Sequence, residues 1–144
     1  MDRQQIAMIQ TECQQFLHRA TLLIDQCRWQ ELACCYTEDG VLFRPSDSKN
    51  GIVGKQTILE SFLERPPRTT YHLLSNMVID VTSCDQVTVH SRGWLISGEA
   101  SEELPVKADN KLLAGSFVDT LVRIDDQWFI KCRKGSIELK YDYT

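Results

Sequence analysis

Residues 69–81, TTYHLLSNMVIDV, decide the fold, because at Thr69 the spacing of apolar residues changes from helical to alternating. The alternation predicts a strand over about 70–81, with side chains directed in turn to two faces of a sheet. One face mixes polar and apolar groups, as a ligand-binding surface does: His72, Leu74, Asn76 and Val78. The other face is mostly apolar: Tyr71, Leu73, Ser75, Met77 and Ile79. Because no other segment is left to cover this second face, we expect it to form an oligomer interface.

Three amphipathic helices are predicted before this strand. Asp2 and Gln5 fit a capping box at the start of the first helix. Its apolar stripe recurs at steps of three and four residues: Ile6, Ile9, Cys13, Phe16, Ala20, Leu23 and Cys27. The second helix has apolar residues at Trp29, Leu32, Ala33 and Tyr36, and is followed by a short strand at 41–44 and a polar loop at 45–51. The third helix, with an apolar face around residues 58–63, ends at Arg65-Pro66-Pro67.

Four extended segments follow, at about 70–81, 86–97, 112–124 and 127–138. The connections at 83–85 and 125–127 have hairpin length, whereas the acidic 98–110 connection is longer and contains Pro105. Helices followed by a meander of strands indicate an α+β fold in which the helices pack on one face of a curved, mostly antiparallel sheet. Residues 1–144 are expected to form a single domain.

Composition and charge exclude several classes of partner. The net charge of -4 is mild and spread along the chain, so we expect no nucleic acid partner. The N-terminal residues are too polar for a signal peptide, and no apolar run approaches the roughly 18 residues of a membrane span. A cytoplasmic protein without a membrane partner is therefore expected. His18, His72 and His90 share no metal-ligand spacing, and no phosphate-loop motif is present, so neither a metal nor another cofactor is predicted.

Four strings of sequence carry a resemblance to a known family. They are LIDQCRWQEL at 23–32, YTEDGV at 36–41, YHLLSN at 71–76 and GSFVDTLVRIDDQWFIKCR at 115–133. In this order and spacing, which covers nearly the whole chain, they resemble the SnoaL-like branch of the nuclear transport factor two superfamily. The resemblance implies a cone-shaped, cystatin-like fold with one pocket for an apolar small molecule. That fold is shared by dehydratases, isomerases, cyclases, dioxygenase β-subunits and binding domains.

The same resemblance implies a pair of catalytic residues. Members similar to scytalone dehydratase have an Asp four residues before the Trp of the second helix and a His opening the strand after the third helix; Asp25 and His72 match these positions. The chain departs from those enzymes at Ile24 and near Arg44, where they have tyrosines, and at Ser91, where their second His falls next to His90. If Asp25 pairs with one imidazole nitrogen of His72, the other nitrogen is available as an acid or base. The alternatives are a solvated Asp25 at the helix end and a structural His72.

Six further residues are candidates for binding the substrate: Arg44, Leu74, Asn76, Val78, Phe117 and Asp119. Asn76 is placed to hold a substrate carbonyl or hydroxyl, and Arg44 an anionic group. The alternatives are a hydrogen bond at the strand edge for Asn76 and a surface salt bridge for Arg44. Asp119 is either a second acid in the site or the ion-pair partner of Arg133 or Arg123 across the last hairpin.

Two function hypotheses follow. The first is a cofactor-independent dehydratase, isomerase or cyclase that acts on an apolar, aromatic or polyketide-like molecule by proton transfer through His72 and Asp25. The second is a non-catalytic module, either a partner resembling the β-subunit of a ring-hydroxylating dioxygenase or a ligand-binding homodimer. A homodimer is expected for the enzyme and a trimer for the β-subunit-like module.

Overall fold

The computed structural model describes residues 1–143 and contains three α-helices, one short 3-10 helix and six strands. The helices are α1 (Arg3–Asp25), α2 (Trp29–Ala33) and α3 (Lys55–Leu63), with the 3-10 turn at Pro45–Asp47. The strands are β1 (Tyr36–Phe43), β2 (Gly51–Val53), β3 (Arg68–Ser83), β4 (Gln86–Glu99), β5 (Lys111–Ile124) and β6 (Gln127–Asp142). Among these residues, no helix combines the length and apolar character needed to cross a membrane.

The six strands form one mixed sheet in the order β2-β1-β6-β5-β4-β3. All neighbouring pairs are antiparallel except β1 and β6, which are parallel. The predicted α+β class and the mostly antiparallel sheet are therefore confirmed. The prediction at 36–53 was partly wrong: α2 ends at Ala33, β1 already begins at Tyr36, and residues 51–53 form a strand. The helical spacing of Tyr36 is overridden by tertiary pairing, because the Ile130 amide donates to the Cys35 carbonyl at 2.7 Å and aligns this segment with β6.

The long helix α1 covers the concave face of the sheet. Its predicted capping box is present, with the Gln5 amide donating to the Asp2 carboxylate and the Asp2 amide donating to the Gln5 side chain. The core joins apolar side chains of α1 to those of β3, β4, β5 and β6: Ile9, Cys13, Leu17, Ala20 and Leu23 with Ile79, Val87, Val89, Leu121 and Ile130. Burying this stripe fixes α1 on the sheet and brings its last turn to the first half of β3.

A pair of facing glycines lets the sheet curve beside the cavity. Gly93 in β4 pairs with Gly115 in β5. A Cβ atom at Gly115 would overlap the Ser136 carbonyl oxygen, and one at Gly93 would lie 2.9 Å from the Phe117 ring. The absence of these side chains permits the close approach of β5 to β6 and leaves room for the Phe117 ring on the concave side.

A bulge in β3 corrects the prediction for its second half. Asn76 has φ +48°, and the pairing of β3 with β4 shifts register between Ser75 and Val78. The extra residue reverses the alternation, so Asn76 and Val78 are exposed and Met77 and Ile79 pack into the core. Asn76 and Val78 were therefore wrongly predicted to line the cavity. Asn is among the residues that tolerate the left-handed region, so Asn76 is compatible with the backbone of the bulge.

Replacing Asn76 by valine is expected to lower the free energy of unfolding by about 1–2 kcal/mol, because a β-branched residue is strained at this positive φ. Replacement by glycine should leave the stability close to that of the wild type. Ser75→Val serves as the matched control, because Ser75 is an exposed neighbour in the same strand without a positive φ. Urea denaturation measures all three variants, and equal stabilities of the valine and glycine variants would contradict the role of the bulge.

The convex face of the sheet carries exposed apolar side chains at Tyr71, Leu73, Trp94, Ile96 and Leu139. The bulge removes Met77 and Ile79 from this face, although both were predicted to belong to it. A cluster of this kind is typical of a protein–protein contact.

We expect this convex face to join two copies of the chain. Light scattering at micromolar concentration should give the mass of a dimer, and Trp94→Glu, which places a charge in the contact, should reduce it to that of a monomer. A stable wild-type monomer would contradict this expectation, and a trimer would favour the β-subunit-like module.

Candidate active site

A cavity lies between the helices and the concave face of the sheet. Twelve residues line it, from α1, α3, β1, β3, β5 and β6 and from the segments that follow β1 and α3. They are Thr21, Ile24, Tyr36, Leu42, Arg44, Pro45, Phe62, Arg65, His72, Leu74, Phe117 and Arg133. About 500 Å³ of space, partly open to solvent, is free of protein atoms. The walls are largely apolar, and the polar groups are one imidazole, one phenol, one hydroxyl and three guanidinium groups.

Asp25 and His72 are in direct contact at the edge of this cavity. His72 Nδ1 lies 2.5 Å from Asp25 Oδ1. The His72 backbone amide donates to Asp25 Oδ2 at 2.9 Å, and the Thr70 hydroxyl donates to Oδ1 at 2.8 Å. The two side chains are 15% and 23% exposed for Asp25 and His72 respectively, so water has limited access to their contact.

The end of α1 and the start of β3 create this contact. Asp25 is the last residue of α1, and Cys27 at φ +55° turns the chain away from the helix axis. A carboxylate at a helix C-terminus is unfavourable for the helix dipole, and the three donors from β3 offset that cost. Thr70 and His72 have the same parity in β3, before the bulge, so both side chains face α1.

The hydrogen bonds fix how the imidazole can act. An ionised carboxylate only accepts hydrogen bonds, so His72 Nδ1 is the donor to Asp25. In a neutral imidazole the other nitrogen, Nε2, then carries the lone pair. No partner for Nε2 is present among residues 1–143, and the imidazole lines the cavity beside Leu74 and Phe117. The arrangement can therefore accept a proton from a ligand held against these apolar walls.

Arg133 and Asp119 form a buried ion pair below the cavity. Arg133 Nε lies 3.5 Å from Asp119 Oδ1, and the two residues are 5% and 0% exposed. Neither oxygen of Asp119 has a hydrogen-bond partner of good geometry. Burial raises the pKa of Asp119, and the charge of Arg133 counteracts part of this rise. The prediction that Asp119 binds substrate is wrong, because its carboxyl group is fully buried against Arg133. The structure instead agrees with the alternative prediction, in which Asp119 pairs with Arg133.

Arg44 and Arg65 lie at the end of the cavity formed by α3. Arg44 Nη2 donates to the Ser61 carbonyl at 2.6 Å, and the guanidinium groups lie 5.5 Å (Arg44) and 4.3 Å (Arg65) from the centre of the Phe62 ring. Trp29 stacks on Phe62 at 5.1 Å and holds this ring in place. The two cations and the aromatic wall thus form one polar end of an otherwise apolar cavity.

The candidate residues divide into those the structure brings together and those it does not. Asp25 and His72 are in contact, and Arg44, Leu74 and Phe117 line the same cavity, whereas Asn76, Val78 and Asp119 do not reach it. Four further aromatic or charged residues line the cavity and were not predicted from the sequence: Tyr36, Phe62, Arg65 and Arg133. Arg65 was noted only as the residue before two prolines, and no sequence spacing distinguishes it from a solvated helix end. Within residues 1–143, no three His, Cys, Asp or Glu side chains group as metal ligands would.

Known proteins similar to this chain share its fold over most of their length. Among solved structures, a candidate scytalone dehydratase from Novosphingobium aromaticivorans is 22% identical, with a TM-score of 0.83, covering 99% of this chain and 93% of its own. The type 2 hexachlorocyclohexane dehydrochlorinase LinA is 14% identical, with a TM-score of 0.82 and coverages of 99% and 94%. A Nostoc punctiforme protein of unknown function with a cystatin-like fold is 17% identical, with a TM-score of 0.73 and 92% of both chains covered.

The likeness to these structures establishes the fold, and the sequence itself establishes the family. No curated protein matches the chain in sequence. The profile of the SnoaL-like domain matches residues 7–134, which include the end of α1, the bulged strand β3 and most of the final hairpin. The chain therefore belongs to the SnoaL-like domain family.

Proposed function

We propose that this protein is a cofactor-independent enzyme that removes a proton from a carbon atom of a largely apolar small molecule and thereby drives loss of water or isomerisation. His72 is the base, and Asp25 orients it. The observation that carries the proposal is the 2.5 Å contact between Asp25 and His72 Nδ1, which leaves Nε2 without a protein partner at the cavity wall.

His72 and Asp25 are the only protein groups that this elimination requires. His72 Nε2 takes a proton from the carbon next to a ketone, and the C–H electrons form the enolate. Asp25 stabilises the resulting imidazolium through its contact with Nδ1. The enolate electrons then form a carbon–carbon double bond as the C–O bond to a neighbouring hydroxyl breaks, and that hydroxyl leaves as water with the proton from Nε2. For an isomerisation, the imidazolium returns the proton to a different carbon.

Two structural relatives support elimination as the reaction class. One is named as a candidate scytalone dehydratase and the other as a hexachlorocyclohexane dehydrochlorinase, so the names of both describe loss of a small molecule from the substrate. The apolar walls contributed by Leu74, Phe117 and Ile24 suit a hydrocarbon ring.

Exchange of carbon-bound protons tests this proposal without knowledge of the natural substrate. One- to three-ring cyclic ketones, with and without a β-hydroxyl group, are incubated with the protein in deuterated water and followed by NMR. We expect faster exchange next to the carbonyl for ketones that bind, and formation of the conjugated product from the β-hydroxy members. Binding without any acceleration of exchange would contradict the enzyme proposal and favour the ligand-binding homodimer. Co-purification with a larger iron-containing subunit would instead favour the dioxygenase β-subunit-like module.

A further inference from the structure

Two of the three arginines that line the cavity have no carboxylate partner. Arg133 is paired with Asp119 at 3.5 Å. Arg44 and Arg65 lie within 4 Å of no Asp or Glu oxygen among residues 1–143, although both line the cavity. No carboxylate therefore pairs directly with either guanidinium group at this end of a largely apolar cavity, and Glu64 and Asp47 act on Arg44 only from a greater distance. An arrangement of this kind calls for a negative charge from outside the chain.

Arg44 also has an unused hydrogen-bond donor in a buried position. Its Nη2 group donates to the Ser61 carbonyl at 2.6 Å, which holds the guanidinium group in place. Its Nε atom is buried and has no hydrogen-bond partner among residues 1–143. A buried donor without a partner is costly. The Nε group therefore either lowers the stability of the folded chain or donates a hydrogen bond to a bound ligand.

The surroundings of Arg65 also favour binding of an anion. Burial and the nearby positive charge of Arg44 lower the pKa of Arg65 to about 10. Packing on Phe62 accounts for the position of both guanidinium groups, at 5.5 Å and 4.3 Å from the ring centre. It accounts neither for the unpaired Nε of Arg44 nor for two like charges held next to each other.

We infer that the substrate of this site carries a carboxylate, which Arg44 and Arg65 bind at the α3 end of the cavity while its apolar ring lies against Leu74 and Phe117, next to His72. This inference rests on the proposed function, because it names the substrate class of the same cavity. The planar guanidinium group matches the two oxygens of a carboxylate, and the bound anion relieves the repulsion between the two cations. The carboxylate fixes the end of the molecule remote from the base and thereby orients the carbon that loses its proton.

Matched ligands of different charge test the inference. The probes are one-, two- and three-ring aryl carboxylates and the corresponding carboxamides, which have nearly the same shape, titrated by calorimetry. We expect the best carboxylate to bind the wild type at least about tenfold more tightly than its amide. Arg44→Gln and Arg65→Gln should each remove most of this preference and leave amide binding unchanged. Arg65→Lys, which keeps the charge, should retain part of it.

Arg92→Gln is the matched control, because Arg92 is exposed on β4 outside the cavity and its replacement changes the net charge by the same amount. It should keep the full preference for the carboxylate. Circular dichroism and amide binding show that each variant is folded. Equal wild-type affinity for carboxylate and amide, or a preference that survives both Arg44→Gln and Arg65→Gln, would overturn the inference and leave proton abstraction by His72 standing. Failure of both ligand series to bind would contradict the inference and the small-molecule site together.

Discussion

Replacing His72 by glutamine is expected to slow proton exchange and dehydration by about 10²–10⁴-fold, the usual contribution of a positioned general base. Glutamine retains an N–H group that can donate to Asp25, so the hydrogen bond to the carboxylate is replaced. It has no basic nitrogen to take up a proton. Turnover should therefore fall, whereas ligand affinity and thermal stability should change little. NMR-detected exchange and a ligand titration on the same samples measure the two effects separately.

Two further variants define the roles in this pair. Asp25→Asn should also lower turnover, because an amide stabilises an imidazolium less well than a carboxylate does. His90→Gln is the matched control, since His90 is exposed on β4 and lies 3.8 Å from the exposed Asp80, away from the cavity. It should leave turnover unchanged. Wild-type rates in His72→Gln would show that another group is the base.

Replacing Asp119 by alanine is expected to lower the free energy of unfolding by about 3–5 kcal/mol, as found when one partner of a buried ion pair is removed. Arg133 is only 5% exposed, so its guanidinium group has little contact with water. A positive charge would then remain buried without its carboxylate. Asp80→Ala is the control, because the Asp80 side chain is 67% exposed and should contribute at most about 0.5 kcal/mol. Urea denaturation measures both variants, and a loss below about 1 kcal/mol for Asp119→Ala would contradict the importance of this pair.

The reciprocal change, Arg133→Met, should make stability depend on pH. Burial already raises the pKa of Asp119 above its ordinary value of 3.8, and Arg133 counteracts part of this rise. Without Arg133 the folded chain keeps the proton on Asp119 at pH values where the unfolded chain has released it. The free energy of unfolding should therefore fall more steeply than in the wild type as pH rises from about 4 to 8. A variant with the wild-type pH dependence would contradict this assignment.

Local patterns were sufficient to predict most of the fold. The apolar stripe and capping box of the first helix are local features, as are the alternating strands and their short turns, in which Asp125 and Asp126 both adopt positive φ. The start of β1 and the whole of β2 were not predictable in this way. Their pairing depends on distant partners, with β6 for β1 and with β1 for β2. A five-residue helix followed directly by Tyr36 has the same apolar spacing as a longer helix.

The candidate site was predictable to the extent that it depends on regular elements. The Asp25 and His72 positions came from the resemblance to scytalone dehydratase-like members, and the structure brings both side chains together because α1 and the first half of β3 are regular. Asn76 and Val78 were assigned to the wrong face of the sheet. One extra residue in the strand reverses the alternation of side chains between the two faces, and it leaves no distinctive pattern in the sequence. Arg65 was missed because its place in the cavity depends on where α3 packs.

The tautomer of His72 tests the central claim most directly. Long-range ¹H–¹⁵N NMR spectra of the uniformly labelled protein, assigned with His72→Gln and recorded at pH 8, distinguish a protonated ring nitrogen from one that carries a lone pair. The Asp25 contact predicts a proton on Nδ1 and a lone pair on Nε2, and Asp25→Asn should weaken this preference. A His72 ring that carries its proton on Nε2 in the wild type would contradict the assignment of Nε2 as the base in the cavity.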